Sequence, residues 1–543
     1  MQEDNDKKWF STSKFRNRNF KKYSIIFGVL FVFGIIFGNV IFPSLFKGQI
    51  AKSIGLKPGS DIRELYTKVP FAIDFRIYIF NITNKDEVTK GAKPMLQEIG
   101  PYYFEEWKEK FDMTDNEEDD TLTFNMKNTF IFRPDLSGEG LNGNEIITTV
   151  HTLIMGMALA TNVDKKPMLP LVSKAIDGIF HNPTDPFWTG RVMDYLFDGI
   201  EIDCTSEKFE VQAICSVFGS GEVKAIQPTD RENIYKFSIF GAVNGSGIGM
   251  FKVFRGIKNF RDVGRVITFN DDTEMDVWGG DECNNYKGTD STIFPPGLKK
   301  EDGLWAYEPG LCLSVGAHYE RDSNYEGIPA IRFGLDFGDA RKNEKLQCYC
   351  LDPPHDCPRA GTLNMFQCVG TPIVVSMPHF LNADPSLLTK IQSGLEPHAS
   401  EHAVYIDFET MTGSPINAAK RLQFNLDIVP VPEVECMKTL PEVVMPLFWV
   451  EEKAALNKTY VNILKYQLFL VMKIVAVIKW LCIIIGGFGA VLSAYIHFRN
   501  QNMVTELPKT NGVGNEGDAE SVSNKVTIES LDSLPKAKDG FKT

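Results

Sequence analysis

The 543-residue chain lacks the short signatures of the common hydrolases and nucleotide-binding enzymes. It has no Gly-x-Ser-x-Gly elbow, no phosphate-binding loop and no His-Glu-x-x-His zinc motif. The glycines of Gly245-Ser-Gly247-Ile-Gly249 lack the Gly-x-Gly-x-x-Gly spacing and indicate a turn. We therefore predict that the protein is not an enzyme, has no catalytic residues and needs no cofactor.

An excess of basic residues is also missing, because the chain has a net charge of −13. The first 22 residues carry +4 and the last 45 carry −1, which leaves −16 for the segment between them. Such a segment is repelled by the phosphate backbone of nucleic acids. We predict that no nucleic acid is a partner.

One metal-like pattern is present, His398-Ala-Ser-Glu401-His402, which matches the His-x-x-Glu-His order of inverted zinc peptidases. That chemistry needs a helix that places both histidines on one face. Gly394 and Pro397 precede the pattern and a strand-like segment follows it directly, so we predict a solvated loop. No metal site is expected.

Two long apolar runs, Tyr23–Phe46 and Trp480–Phe498, stand near the ends of the chain. About 20 helical residues cross a hydrocarbon core of about 30 Å, so both runs predict transmembrane helices. A cleaved signal peptide is the alternative for the first, but the run is too long and no Ala-x-Ala-like site follows it. Lys473 and Lys479 interrupt the second run, which is why we place its start at Trp480.

Seven basic and three acidic residues precede the first run, which predicts a cytoplasmic N-terminus. Two spans return the C-terminus to the same side, in a protein of the cell membrane. The predicted organisation is a cytoplasmic tail 1–22, a transmembrane helix 23–46, an extracellular domain 47–479, a transmembrane helix 480–498 and a disordered cytoplasmic tail 499–543.

A small-xxx-small pattern, Gly34-Ile-Ile-Phe-Gly38, lies in the first span. It is consistent with close helix packing, within the chain or between chains, or with simple exposure to lipid. Gly486, Gly487 and Gly489 in the second span could supply a facing groove.

The segment between the spans has the features of an extracellular domain. It holds nine of the ten cysteines, as expected where disulfides persist. It also contains the Asn-x-Ser/Thr sequons, which predict glycosylation at Asn81, Asn244 and Asn457.

Six of the cysteines form a block that is more consistent with disulfides than with zinc, since the spacings fit no zinc ribbon or finger. They are Cys283, Cys312, Cys348, Cys350, Cys357 and Cys368. Six cysteines allow fifteen pairings, and the sequence pattern does not choose among them. Cys204 and Cys215 form a further bridge or stay unpaired, and Cys436 is left over.

Alternating apolar residues predict long strands, for instance at Phe71–Ile79. Similar alternation occurs at Leu122–Phe132, Ile331–Phe337 and Leu422–Ile428. These strands predict an antiparallel sheet, either open or closed into a barrel. The acidic run Asp112–Asp120 is predicted to be a solvated hairpin loop.

Helical spacing appears in one zone and predicts three consecutive amphipathic helices that cap the sheet. Its apolar positions are Ile146, Val150, Ile154 and Met157, then Val172, Ile176 and Ile179, then Val192 and Leu196. A further helix is predicted after Asp384-Pro385, with aspartate as N-cap and proline in the first turn.

Several longer motifs follow in a fixed order along the extracellular segment. They are Lys57-Pro-Gly-Ser-Asp-Ile-Arg-Glu64, Gly91-Ala-Lys-Pro94, Glu98-Ile-Gly-Pro101-Tyr102, Gly288-Thr-Asp-Ser-Thr292, Phe294-Pro295-Pro296, Pro378-His-Phe-Leu381, Tyr405-Ile-Asp-Phe-Glu409, Thr412-Gly413 and Lys420-Arg-Leu-Gln-Phe-Asn425. Through them the chain resembles the class B scavenger receptor family, and within it the insect sensory neuron membrane proteins. The additional cysteines favour the second subfamily.

The resemblance implies an α+β membrane protein: an antiparallel β-barrel ectodomain with a helical apical cap and a hydrophobic tunnel, anchored by two transmembrane helices near the termini. It also implies the pairs Cys283 with Cys348, Cys312 with Cys368, and Cys350 with Cys357. The ligand-binding residues are not identified by the resemblance.

The function it implies is a cell-surface olfactory receptor or co-receptor in chemosensory cells of the antenna. The expected partners are lipidic odorants or pheromones, the lipid bilayer, and an odorant receptor complex or odorant-binding protein. Two alternatives are a general lipid or lipoprotein scavenger receptor and a two-pass ligand-gated channel. A channel is disfavoured because the second span is apolar apart from Ser493, and it offers no ring of carboxylates or hydroxyls to conduct an ion.

Overall fold

The computed structural model describes residues 19–351, 353 and 355–505, so most of the predicted tails 1–22 and 499–543 lies outside the described residues. The chain divides into two units. The smaller unit combines the chain up to Ile36 with the chain from Ile478 onward, and Phe37–Val477 forms the larger one.

The larger unit is built on long antiparallel strands. The described strands are β1 Ile73–Ile82, β2 Leu96–Asn116, β3 Thr121–Phe132, β4 Ile146–Val150, β5 Phe187–Arg191, β6 Ile200–Asp203, β7 Ile226–Pro228, β8 Ile234–Phe237, β9 Gly247–Phe254, β10 Val266–Phe269, β11 Leu304–Glu308, β12 Leu313–Tyr325, β13 Ile328–Leu335, β14 Thr362–Asn364, β15 Ile373–Ser376, β16 Val404–Glu409, β17 Ser414–Ile428 and β18 Val443–Ala455. β1, β3, β13 and β17 confirm the four segments in which alternation predicts strands.

One sheet runs in the order β10-β9-β3-β2-β1-β18-β17-β16-β13-β12-β11, and β15 pairs with β17 and carries β14. Its register is continuous across the central strands, where Phe75 of β1 lies opposite both Phe104 of β2 and Glu452 of β18. Two small sheets, β4-β5 and β6-β8-β7, stand apart from it. The large sheet confirms the predicted antiparallel barrel.

The loop around Thr289 connects the two ends of the large sheet. Thr289 forms a bridge with Arg265 beside β10, donates its backbone N–H to the Trp305 carbonyl oxygen at 3.1 Å, and accepts from the Tyr307 N–H at 2.8 Å. Gly288 makes this approach possible, since it has φ +82° and a Cβ there would lie 1.9 Å from the Trp305 oxygen. The sheet is therefore a nearly closed barrel.

Helices Thr152–Asp164, Leu169–Ile179 and Phe209–Ser220 form the cap. The second and third approach closely, because a Cβ on Gly178 would meet the Val211 side chain at 2.3 Å. Cap and barrel share one hydrophobic core, in which Ile154 and Ile176 are buried together with Ile77 of β1. The predicted helical cap is thus present.

Two boundaries predicted for the cap are wrong. Ile146–Val150 is strand β4, and its helix begins only at Thr152. Around Val192 and Leu196 there is only a short turn, Asp194–Asp198, whereas the third long helix is Phe209–Ser220. In both cases apolar residues three or four apart also suit a short buried strand or turn, so spacing alone misassigned them.

Short helices connect the strands. They are Asp61–Thr67, Lys85–Val88, Asp281–Asn284, Phe366–Val369, Pro385–Thr389 and Ala399–His402. The predicted helix after Asp384 is confirmed, and the Asp384 side chain accepts a hydrogen bond from the Ser386 N–H at 2.9 Å.

The acidic run Asp112–Asp120 does lie at the β2–β3 hairpin, as predicted, but it is not uniformly solvated. The Asp115 carboxylate contacts Arg63 at 2.9 Å and Arg255 at 3.1 Å. Asp120 is buried and contacts Arg255 at 3.3 Å. These acidic residues serve as buried partners for two arginines that are far away in the sequence, which charge density alone does not reveal.

The terminal helices extend beyond the predicted spans Tyr23–Phe46 and Trp480–Phe498 at both ends. The first runs through Phe20–Ile36, Phe37–Ile41 and Phe42–Ile54, and the second through Lys458–Ile463, Leu464–Phe469 and Leu470–Thr505. At about 1.5 Å per residue, each exceeds a hydrocarbon core of about 30 Å. A lysine adds charge without breaking a helix, so the helix continues past both lysines that interrupt the second apolar run.

Within the smaller unit, the two terminal helices pack against each other through small residues. A Cβ on Gly34 would lie 2.8 Å from the Cys482 Cβ, and one on Gly486 would lie 2.5 Å from the Phe31 backbone nitrogen. The Ser24 hydroxyl donates to the Ala490 carbonyl oxygen at 3.2 Å. Gly34 is therefore a packing position within the chain.

The larger unit contains four disulfides among the described residues. Three are the pairs implied by the family resemblance, Cys283–Cys348, Cys312–Cys368 and Cys350–Cys357. The fourth, Cys204–Cys215, joins the end of β6 to the third cap helix. Cys436 is buried, and burial raises the pKa of its thiol to about 11.

Candidate ligand-binding cavity

A cavity of about 1020 Å³ lies inside the larger unit. Several of its walls are apolar, among them Leu304, Phe333 and Ile406 of the barrel strands. Leu456 and Leu464, where β18 passes into the second terminal helix, line one end. The volume is at the upper end of the range of about 300–1,000 Å³ for small-molecule sites, which suits a long flexible molecule.

The barrel interior changes character in the same order along three strands. β2 passes from Lys110 at the cavity through Lys108 to Phe104, and β17 from Ala418 through Lys420 to Phe424. β18 repeats the order in reverse chain direction. Because alternate residues of a strand share a face, these side chains follow one another along the inner wall. Along the inner wall of the barrel, cavity-lining residues are thus followed by charged residues and then by aromatic rings.

We call the charged set the charged layer and define it as Glu106, Lys108, Glu308, Lys420 and Glu452. Lys420 and Glu452 lie directly opposite each other on β17 and β18. The Lys108 ammonium donates to Glu452 Oε1 at 2.6 Å, and Lys420 pairs with Glu308 of β11. Since β17 and β11 are four strands apart in the sheet, the layer reaches across the barrel.

Burial and pairing set the protonation of the charged layer. Burial disfavours the charged form of Lys108, but the Glu452 carboxylate, which accepts its hydrogen bond, outweighs burial and raises the pKa of Lys108. The pKa of Lys420 is raised in the same way by Glu308 and Glu452, against the effect of burial. Burial raises the pKa of Glu106 to about 8. We therefore assign charged lysines and a largely protonated Glu106 at neutral pH.

Glu106 is the most enclosed member of the layer, with 2% of its surface exposed. Its Oε1 accepts a hydrogen bond from the Asn128 side chain at 2.9 Å. Its Oε2 is buried and has no hydrogen-bond partner among the described residues. The Lys108 ammonium lies 3.6 Å from Oε1, so Oε2 is the oxygen without a partner, and the burial of that oxygen favours the protonated carboxyl.

A second polar group, around Lys110, also lies in the cavity wall. The buried Lys110 ammonium donates to Thr292 Oγ1 at 2.7 Å and to the Tyr66 carbonyl oxygen at 2.9 Å, and lies 3.4 Å from Asp290. Burial lowers the pKa of Lys110, although Asp290 acts in the opposite direction. The Tyr66 hydroxyl also donates to Asp290, at 2.7 Å. The donors of Lys110 are thus engaged by the protein itself.

Next to the charged layer, rings from the barrel strands, from the turn Asp194–Asp198 and from the segment after β8 meet in what we call the aromatic plug, defined as Phe75, Phe130, Phe197, Phe240 and Phe448. Phe240 is central, with ring-centre distances of 5.8 Å to Phe75, 5.9 Å to Phe130, 5.6 Å to Phe197 and 5.7 Å to Phe448. None of the five lines the cavity. The plug therefore lies outside the cavity wall.

The His-x-x-Glu-His pattern does not form the predicted loop. Ala399–His402 is one helical turn, and the buried His402 ring stacks on His379 with ring centres 4.2 Å apart. His379 contacts Glu98 at 2.6 Å. Burial, with His379 nearby, lowers the pKa of His402 to about 4. No cluster of metal-ligating side chains occurs among the described residues.

The three sequon asparagines differ in their surroundings. Asn81 is half-buried and its Oδ1 accepts from the Thr148 N–H at 2.7 Å. Asn244 is exposed, and its Oδ1 accepts from the Phe130 N–H at 2.8 Å. Asn457 is exposed and caps the second terminal helix through its Oδ1.

Sequence reasoning identified no ligand-binding residue, and the charged layer is what it missed. The segment around Lys108 carries charges on both strand faces, so alternation does not mark its inner face. Lys420 belongs to a motif that identifies the family, but the motif does not indicate that the lysine side chain lies inside the barrel. The layer could have been recognised from the cross-strand pairing of Lys420 with Glu452, but this pairing is apparent only when the register of β17 and β18 is known.

The chain matches the CD36 family over residues 25–497. It is 47% identical over 532 residues to Sensory neuron membrane protein 1 of Anopheles gambiae, covering 97% of this chain and 96% of the relative. The protein of the same name from Aedes aegypti is 50% identical over 469 residues, 86% of each chain. That of Mamestra brassicae is 41% identical over 483 residues, 89% of this chain and 91% of the relative.

These similarities confirm the resemblance drawn from the sequence motifs. The relatives carry the number 1 in their names, so they lend no support to the preference for the second subfamily. With a nearly closed barrel, a helical cap and two long apolar terminal helices in place, the chain belongs to the CD36 family.

Proposed function

We propose that the protein is a cell-surface receptor or co-receptor of odour and pheromone sensing. It binds lipidic odorants in the barrel cavity and passes them to the membrane or to an odorant receptor. The observation that carries this proposal is the cavity of about 1020 Å³, which is lined at one end by the start of the second terminal helix. The similarity to sensory neuron membrane proteins supports the sensory role.

Apolar burial supplies the binding energy without a chemical step. Each buried methylene contributes about 0.8 kcal/mol, so a chain of about 12 carbons gains at most about 10 kcal/mol before the costs of ordering. That gain is enough to draw a poorly soluble molecule from a carrier such as an odorant-binding protein. We place the entrance at the helical cap, and the aromatic plug must then move to admit the ligand.

The proposed topology has both termini in the cytoplasm and the larger unit outside the cell membrane. Four disulfides in that unit support an oxidising compartment. We propose that they act as structural cross-links and that Asn81, Asn244 and Asn457 carry glycans. Expression in antennal chemosensory cells is part of the same proposal.

Filling the cavity tests the proposal. Ala418 and Ala454 lie opposite each other on β17 and β18, on the inner face that also carries Lys420 and Glu452. Ala454→Phe places a ring in the space that we assign to the ligand. Ala399→Phe is the matched control, because Ala399 is exposed and does not line the cavity.

Displacement of a fluorescent long-chain alcohol from the full-length protein in lipid nanodiscs measures the effect. We expect Ala454→Phe to weaken binding about tenfold or more, the loss of a few methylene contacts, and Ala399→Phe to leave it unchanged. Equal affinity of Ala454→Phe and the original chain, both folded, would rule out the cavity as the binding site.

A further inference from the structure

The charged layer has no place in a purely apolar conduit, and its composition points to a particular ligand chemistry. Four of its members, Lys108, Glu308, Lys420 and Glu452, line the cavity wall. Lys420 keeps 40% of its side-chain surface open, and Lys108 keeps 17%. The layer is therefore in reach of a molecule in the cavity.

The charges in the cavity wall balance. Five basic side chains, Lys108, Lys110, Lys287, Lys345 and Lys420, face five acidic ones, Glu109, Glu282, Glu308, Asp336 and Glu452. Within the layer, each lysine already has a carboxylate partner, and a protonated Glu106 adds no charge. An ionised Glu106 would make the layer negative. In neither state does the layer have a positive charge to spare.

Such a layer is a poor site for an anion. A carboxylate brought into the cavity would lose its hydration and would have to displace Glu308 or Glu452 from a lysine. The buried Lys110 offers no alternative, because Thr292, Tyr66 and Asp290 already engage it. Lys287 is already paired with Glu282 at 3.5 Å, and Lys345 is exposed, so water screens its charge.

An uncharged oxygen meets no such obstacle. An ammonium group has three N–H donors, and Lys108 and Lys420 each use one in a hydrogen bond to a described residue. A hydroxyl or ester carbonyl of the ligand can accept a further N–H while both ion pairs stay intact. The apolar chain would then extend toward Leu456 and Leu464 at the other end of the cavity.

We propose that the charged layer binds the polar end of a long-chain ligand and selects an uncharged end, an alcohol or ester, over a carboxylate. This inference rests on the function proposed above and specifies the ligand class of the same cavity. It makes Lys108 and Lys420 the hydrogen-bond donors to the ligand, and Glu308 and Glu452 the groups that exclude an anion.

Three compounds of equal chain length test this proposal: hexadecan-1-ol, hexadecyl acetate and hexadecanoate. Each displaces a fluorescent long-chain alcohol from the full-length protein in nanodiscs at pH 7.4. We expect the alcohol and the ester to bind about tenfold more tightly than the carboxylate, the difference made by one charge-assisted contact.

Glu308→Gln is the informative variant, because it removes the partner of Lys420 and leaves one lysine uncompensated. We expect hexadecanoate to bind about tenfold more tightly to it, with the alcohol changed much less. A gain of binding cannot come from misfolding. Glu105→Gln is the matched control, since Glu105 of β2 pairs with Arg133, does not line the cavity and should leave the preference unchanged.

The outcomes separate this inference from the proposed function. If all three compounds bind equally and Glu308→Gln leaves their ratio unchanged, the inference is overturned and the lipid-binding function stands. If hexadecanoate binds most tightly to the original chain, the inference is overturned in the same way. If none of the three binds, the proposed function fails and the inference fails with it.

Discussion

Removal of the central ring of the aromatic plug, Phe240→Ala, is expected to open the barrel toward the cap. Phe240 contacts four other rings at 5.6–5.9 Å between centres. Loss of a fully buried phenylalanine costs about 3–5 kcal/mol. Because Phe240 is only half-buried, we expect the free energy of unfolding to fall by about 2–3 kcal/mol.

The same contacts must break when a ligand passes the plug. If passage requires the Phe240 ring to move aside, removing the ring lowers that barrier by about 2 kcal/mol and speeds ligand exchange about thirtyfold. Stopped-flow release of a fluorescent long-chain alcohol from the full-length protein measures this rate. Equilibrium affinity should change much less, since Phe240 does not line the cavity.

Phe269→Ala is the control for general destabilisation. The Phe269 ring contacts Phe251 at 4.9 Å and Tyr307 at 5.3 Å, in a cluster outside the plug. We expect this variant to lose stability without faster exchange. An unchanged release rate in Phe240→Ala, or equal acceleration in both variants, would refute the plug as a barrier.

Three further predictions concern other parts of the molecule. Burial raises the pKa of Glu106 to about 8 in the folded protein, so its contribution to stability is full below the ordinary glutamate pKa and is lost as the pH rises toward 8. Glu106→Gln removes this titration and should flatten the fall of Tm between pH 5 and 8. An unchanged slope of Tm against pH would contradict a protonated Glu106. Gly34→Leu should separate the terminal helices and abolish cross-linking between cysteines placed at Ser24 and Ala490, whereas Gly28→Leu, at a site with no atom within 4 Å, should not. Cys283→Ser should lower the free energy of unfolding by about 4 kcal/mol, as expected for a disulfide that closes a long loop, and a change below about 1 kcal/mol in chemical denaturation would contradict a structural role for the bond.

The strands of the barrel could be predicted from the sequence because they carry one apolar face, whereas the closure of the sheet was implied only by the family resemblance. Alternation at Phe71–Ile79 and Leu422–Ile428 marks β1 and β17 directly. The cap was harder, because apolar residues at Ile146 and Val150 suit a short strand as well as a helix. The terminal helices were found, but a lysine within an apolar run hides where a helix begins.

The charged layer could not be predicted from the sequence, for a physical reason. Its charges lie on the inner face of a barrel, where pattern rules expect apolar side chains, and they become acceptable only through partners on distant strands. Glu308 and Lys420 meet because β11 and β17 face each other across the interior. The same holds for Asp115 and Arg255, whose pairing depends on the fold of the β2–β3 hairpin.

The most direct test of ligand binding in the cavity is native mass spectrometry of the full-length protein released from nanodiscs after exposure to long-chain alcohols and esters. We predict one bound long-chain molecule per protein, lost in Ala454→Phe and retained in Ala399→Phe. A folded protein that carries no such molecule, or a variant with a filled cavity that carries it equally well, would contradict the account.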